Sequence, residues 1–194
     1  MNETVIKPAG NWITINFEEI WNYREMIGML VKRDVQGKYR QSVLGYSWAF
    51  IPPVMQMIVF TFIFGKVAKL GPDNIPYPIF SYAALLPWNF FSRALHGAAG
   101  SLLASKSIFT KVYFPRMILP LTGVASALVD FVLASSVMVL LMVWYRIVPG
   151  WEVITLPFFI LIAILTALGT GMWLTALSIK YRDVGFIMGF LIQL

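Results

Sequence analysis

The sequence predicts an all-α integral membrane protein. It has four complete transmembrane helices and the start of a fifth, preceded by an amphipathic interfacial helix. Three observations predict this. Hydrophobic residues make up 59% of the 194-residue chain and charged residues only 12%, where a soluble domain carries about 25% charged residues. The apolar residues gather into stretches as long as the roughly 20 residues that a helix needs to cross a bilayer. The charges collect between those stretches, as membrane-flanking loops require.

The N-terminal segment, residues 1–43, is read as cytoplasmic. Its polar start, with Glu3 and Lys7, lacks the charged-then-apolar layout of a cleavable signal peptide. Phe17, Ile20, Trp21, Ile27, Leu30 and Val31 then recur near helical spacing, with Arg24, Lys32 and Arg33 between them. That pattern describes a helix lying in the membrane interface. A soluble helix packed on a partner has the same pattern; the span that follows within a dozen residues favours the interface.

Residues 44–194 form the transmembrane domain. The first span, 44–67, holds no charge before Lys66. The second, 79–103, contains Pro87, Asn89, Arg93 and His96, so an irregular and partly wet middle is expected there. The third, 117–145, holds one charge, Asp130, and the fourth, 153–179, holds none. A fifth apolar stretch begins at Val184 and is still running at Leu194, so the natural chain is expected to continue. The intervening residues 70–78 carry Gly71, Pro72, Pro76 and Pro78, a stiff turn-rich link.

Lys and Arg orient the spans. Lys7, Arg24, Lys32, Arg33, Lys38, Arg40, Lys106, Lys111, Arg116, Lys180 and Arg182 fall on one side; Lys66, Lys69 and Arg146 fall on the other. The excess places the N-terminus in the cytoplasm. The net charge of +6 therefore belongs to membrane-flanking loops and does not point to nucleic acid.

Several chemistries are excluded. No cysteine is present, which removes disulfides, thiolate metal sites and cysteine nucleophiles. The single His96 cannot build a histidine metal cluster. Gly37-Lys38 is followed by Tyr39 and Gly65-Lys66 by Val67, so neither is a phosphate-binding loop and no cofactor is expected in this chain. Asp130, Asp183 and His96 lie on different elements, without the close pairing that hydrolysis or group transfer needs. The chain reads as a non-enzyme.

Four groups of residues are candidates for function. Arg93 and Asp130 are charges inside apolar segments, where charge is costly and usually functional. Their opposite signs allow a pair that either fixes helix packing or serves transport. Tyr77, Tyr82, Trp88, Phe90 and Phe91 are aromatic candidates for a polysaccharide path, since ring faces stack on apolar sugar faces; an interfacial aromatic belt explains such residues too. Residues 105–116 form a basic, aromatic loop that offers an apolar plug to a partner groove or anchors at the interface. Gly185 and Gly189 have the spacing of a close helix contact.

Four ordered motifs carry a resemblance. They are Arg33-Asp34-Val35-Gln36-Gly37-Lys38-Tyr39-Arg40-Gln41-Ser42-Val43-Leu44-Gly45 with Trp48 and Pro52; Pro76-Tyr77-Pro78 with Leu85-Leu86-Pro87-Trp88-Asn89-Phe90-Phe91; Thr110-Lys111-Val112-Tyr113-Phe114-Pro115-Arg116 with Ile118-Leu119-Pro120; and Tyr181-Arg182-Asp183-Val184. Together they resemble the permease subunits of polysaccharide-exporting ABC transporters, those that move O-antigen, capsule or teichoic-acid chains. The resemblance implies a six-span subunit of the bacterial inner membrane, a second copy of the chain as homodimer partner, and a separate ABC ATPase that binds ATP and Mg. It implies a lipid-linked polysaccharide as substrate and membrane lipids as surroundings. It makes 105–116 the coupling loop, with Lys111, Tyr113, Phe114 and Arg116 docking on the ATPase. It places Arg33, Lys38, Tyr39 and Arg40 at the cytoplasmic interface, where substrate head groups arrive. The spans after the fifth, which such subunits have, are missing from the sequence. An ABC exporter of drugs or small lipids, and a stand-alone channel or ion-coupled transporter, remain as alternatives.

Overall fold

The computed structural model describes residues 17–40, 43–68, 75–104 and 115–181, with 185, 187, 189 and 190 beyond them. All regular structure among the described residues is helical. Short α1 (Phe17–Asn22) leads into α2 (Arg24–Tyr39). A 3-10 turn (Gly45–Ala49) precedes α3 (Ile51–Phe60). Pro52 and Pro53 occupy the first turn of α3, where no intrahelical N–H is needed. The helix then widens into a π-helical stretch, Thr61–Val67. Gly65 lies there against the ring of Tyr77, and a Cβ on it would sit 2.9 Å from a ring carbon.

The long helices follow: α4 (Tyr77–Ala104), α5 (Ile118–Tyr145) and, after a 3-10 turn (Trp151–Thr155), α6 (Leu156–Lys180). At 28 residues each, α4 and α5 span about 42 Å at 1.5 Å per residue. Among the described residues, two helical stretches, Ile118–Tyr145 and Trp151–Ser178, are long and apolar enough to cross a bilayer; Ile51–Val67 is apolar but shorter. The irregular middle expected within residues 79–103 is not seen in the backbone, where α4 runs as one helix through Pro87. Pro87 and Ala83, whose carbonyl loses its donor, both lie on an exposed side of the helix, so the missing bond strains no packed neighbour.

Helix α5 stops sharply. Arg146 takes a left-handed φ of 54°, Ile147 N–H donates back to the Met142 carbonyl, and Pro149 prevents continuation.

Helix α4 is the post on which α5 and α6 pack, while α5 and α6 touch each other little. Small residues make the approach possible. Gly97 and Gly123 meet backbone to backbone, and Gly171 faces Ala98. The Thr175 hydroxyl lies 2.7 Å from its own-turn Gly171 carbonyl and 3.0 and 3.1 Å from the Ala98 and Ala99 carbonyls of α4. Close backbone contact of this kind substitutes for hydrophobic burial, which gives little between helices already in lipid. Phe90, Ala94, Leu95 and Ala98 of α4 form the core with Val124 and Ala127 of α5 and Ala167 of α6. Outside it, α6 leaves most of its apolar surface exposed.

Helix α2 lies across the start of α5. Leu30 is buried with Ile118 and Leu119, and Tyr23, Met26, Ile27 and Leu102 pack around them. The apolar stripe expected to face the membrane interface therefore meets protein for part of its length, while Trp21 and Met29 stay exposed.

Candidate functional site at a buried carboxylate

Asp130 sits midway along α5 and is 3% exposed. A carboxylate in such a place is costly unless paired and hydrogen-bonded, and here its partners come from two other helices. Lys38 Nζ of α2 stands 3.0 Å from Oδ2. The neighbouring Tyr39 hydroxyl donates to Oδ1 at 2.8 Å. Arg93 of α4 approaches Oδ2 at 3.5 Å. Burial, then the bond to Asp130, pushes the Tyr39 phenol above the ordinary tyrosine range, so Tyr39 is a neutral donor at any physiological pH. One acidic group thus ties α2 to the helical core through the Lys38 charge and the Tyr39 hydroxyl, with Arg93 of α4 on the same carboxylate.

Local sequence explains the geometry. Lys38 and Tyr39 close the last turn of α2, after Leu30 has fixed the helix on Ile118 and Leu119. On α5, Leu119, Thr122, Gly123, Ser126 and Asp130 follow one face at helical spacing. On α4, Arg93, His96, Gly97, Gly100 and Ser101 do the same. Beside the carboxylate, Arg33, Asp34, Gly37 and Lys38 of α2 close these two faces into a cavity of about 600 Å³. Ser126 is among its lining residues, and its hydroxyl is buried and without a hydrogen-bond partner among the described residues. The His96 ring meets the Ser92 carbonyl through Nδ1 at 3.0 Å. On the far flank of α2, Lys32, Arg33 and Arg40 line a second hollow of about 410 Å³ with Met29, Gln36 and Gly37.

The residues singled out in the sequence divide accordingly. Arg93 and Asp130 do pair, and Lys38 and Tyr39, expected at a head-group interface, join them on the same carboxylate. Arg33 is held by Asp34 at 2.8 Å, and Arg40 is exposed. The aromatic candidates are scattered. Tyr82 and Phe90 are fully enclosed: Tyr82 donates to the Ala134 carbonyl at 2.8 Å and Phe90 packs on Phe131 at 5.2 Å between centroids. Neither offers a face to a sugar, because both point to the side of α4 that α5 covers. Trp88 is exposed, with Phe91 6.2 Å away, and Tyr77 packs on Phe80. Of the coupling residues, Arg116 is exposed at the start of α5; Lys111, Tyr113 and Phe114 lie outside the described residues. Sequence reasoning missed Ser126 and the glycine contact. The signal was present in the spacing of Gly123, Ser126 and Asp130, which places all three on one face.

The chain is 34% identical over 177 residues to the O-antigen export system permease protein RfbA of Myxococcus xanthus, covering 91% of this chain and 67% of that protein. It is 25% identical over 161 residues to the O-antigen export system permease protein RfbA of Klebsiella pneumoniae, covering 82% of this chain and 61% of that protein. It is 28% identical over 118 residues to the polysialic acid transport protein KpsM of Escherichia coli, covering 59% and 44% of the two. The chain thus spans about two thirds or less of these relatives' length. The family model for ABC-2 type transporters matches residues 25–194, which takes in all but the first residue of α2, Asp130 and all three long helices, and the chain belongs to that family.

Proposed function

We propose that this chain is the membrane permease subunit of an ATP-driven exporter that moves lipid-linked polysaccharide across the bacterial inner membrane. The carrying observation is the likeness, along nine tenths of the chain, to an O-antigen export permease; likenesses to further O-antigen and polysialic acid transport proteins support it. The chain acts as a homodimer with an ABC ATPase that holds ATP and Mg. It performs no covalent chemistry itself. Helices α4, α5 and α6 and the α3 stretch are its four spans, and the N-terminus is cytoplasmic on the charge count above. The 105–116 loop receives the closing motion of the ATPase, and α2, bound to α5 through Asp130, moves with the spans. Exposed Trp88, with Phe91 and Tyr77, offers ring faces to the sugar chain.

The test is charge reversal at Lys111 and Arg116 together, in the complete protein with its ATPase. ATP hydrolysis continues while surface polysaccharide disappears. Export at the parental level in that double variant, measured on cells by glycan-specific staining, would sink the coupling assignment. Failure of the ATPase to co-purify with the parental protein would sink the transport reading itself.

A further inference from the structure

Two cations address one buried carboxylate oxygen. Lys38 Nζ stands 3.0 Å from Asp130 Oδ2, and Arg93 Nη1 stands 3.5 Å from the same atom. One countercharge neutralises one carboxylate, and each further charge inside a span is costly. The packing of three helices therefore does not call for the second cation. The two cations sit on very different supports. Arg93 belongs to α4, whose Gly97 meets Gly123 of α5 backbone to backbone, so Arg93 and Asp130 stay neighbours wherever α5 goes. Lys38 belongs to the last turn of α2, which has a lighter seat. Leu30 packs on Ile118 and Leu119, but beside Gly37 and Lys38 the helix borders the cavity of about 600 Å³. A Cβ on Gly37 would meet nothing within 4 Å. Arg93, at 3.5 Å, is also outside the about 2.7–2.9 Å of a full charge-assisted bond. It is close to the carboxylate without being seated on it.

We infer that Asp130 is an exchange latch for α2, with Arg93 as the replacement that takes the carboxylate when α2 lets go. As the end of α2 lifts, Lys38 leaves Oδ2 and the Tyr39 hydroxyl leaves Oδ1. The Arg93 guanidinium then closes on Oδ2, and its fork of N–H donors matches both oxygens of one carboxylate. One residue thus replaces two. Asp130 is 3% exposed, and stranding such a charge without a partner is strongly unfavourable. With Arg93 at hand it is compensated in both positions of α2, which is what a two-state element requires. Latched, α2 travels with α5. Released, it uncovers the faces of α4 and α5 that line the cavity. The exchange follows from this chain's own charges and does not rest on the transport reading.

The test is the rate at which a water-soluble maleimide labels a thiol on the hidden side of α2, in the complete protein in detergent, followed peptide by peptide by mass spectrometry. These 194 residues contain no cysteine. Leu30→Cys places the reporter against Ile118 and Leu119, where Leu30 is 9% exposed, and Met29→Cys beside it, at a residue 66% exposed, gives the rate of a free thiol. Position 30 labels more slowly than position 29. Lys38→Gln removes the holder, keeps the replacement and speeds labelling at position 30. Arg93→Gln keeps the holder, removes the replacement and slows it about tenfold, the equivalent of about 1.4 kcal/mol. In an Asp130→Asn background no charge is left to strand, and Arg93→Gln then changes the rate little. Labelling at position 30 that is unchanged or faster in Arg93→Gln overturns the exchange, because an arginine that merely clamps the packing loosens it when removed. An Arg93→Gln chain that no longer melts cooperatively overturns it as well, since Lys38 and Tyr39 remain to hold the resting state. No ATP or partner enters these measurements, so their failure leaves the transport reading standing, and loss of ATPase association leaves the latch standing.

Discussion

At the scale of the residue, the Tyr39 hydroxyl is the neutral member of the set around Asp130. Tyr39→Phe keeps the ring packed and removes only the 2.8 Å bond to a buried carboxylate. Losing such a bond to a charged acceptor costs about 1.5–3 kcal/mol, so the thermal midpoint in detergent falls. The same residue sets a pH dependence. Burial and the bond to Asp130 raise its folded-state pKa above the unfolded value, which is about 10. The folded chain therefore holds the proton more tightly than the unfolded one. That stabilisation is complete below pH about 10 and is lost as pH rises beyond it toward the folded value. An alkaline loss of stability above pH about 10 that is smaller in Tyr39→Phe than in the parent, measured by thermal melts across pH, checks the sign. Arg93 and Asp130 are legible in the sequence as opposite charges on two apolar segments. Lys38 and Tyr39 are not, because they lie 92 and 91 residues from Asp130 and periodicity carries no information on how α2 folds back.

At the scale of the element, the crossing of α4 and α5 rests on Gly97 and Gly123. A Cβ on Gly123 would collide with the backbone of Gly97, whereas one on Gly100 meets open space. Gly123→Ala forces the helices apart and costs about 1–3 kcal/mol, as overpacking does. Gly100→Ala adds helix propensity in free space and changes stability by no more than about 1 kcal/mol. Equal melting of the two variants would contradict the backbone contact. The helices themselves are readable from apolar length, and their observed limits fall within a few residues of the stretches predicted. The expected irregularity in α4 is not readable correctly, since proline, asparagine, arginine and histidine within one apolar stretch signal a break only when they share a packed face. Here Pro87 is exposed and Arg93 answers Asp130. Tyr82 and Phe90 show the same limit: an aromatic residue in a span looks alike in sequence whether it meets a sugar or another helix.

At the scale of the whole molecule, the proposed orientation rests on the charge count and has a direct test, because the 194 residues contain no cysteine. Single cysteines at exposed Met29 of α2 and exposed Val148 after α5 are introduced into the complete protein in cells. An impermeant maleimide labels Val148→Cys in intact cells and Met29→Cys only after the inner membrane is opened. The reverse pattern would invert the topology. The order of packing has a further consequence, for how the chain is made. Because α5 and α6 both dock on α4 and little on each other, each of these two helices finds its seat already built as it leaves the ribosome. Helix α2 runs against that order. It emerges before α3, α4 and α5, yet the carboxylate that anchors its end is translated 92 residues after Lys38. Until α5 arrives, α2 lacks the carboxylate that holds its end, so an early part of the chain is secured late.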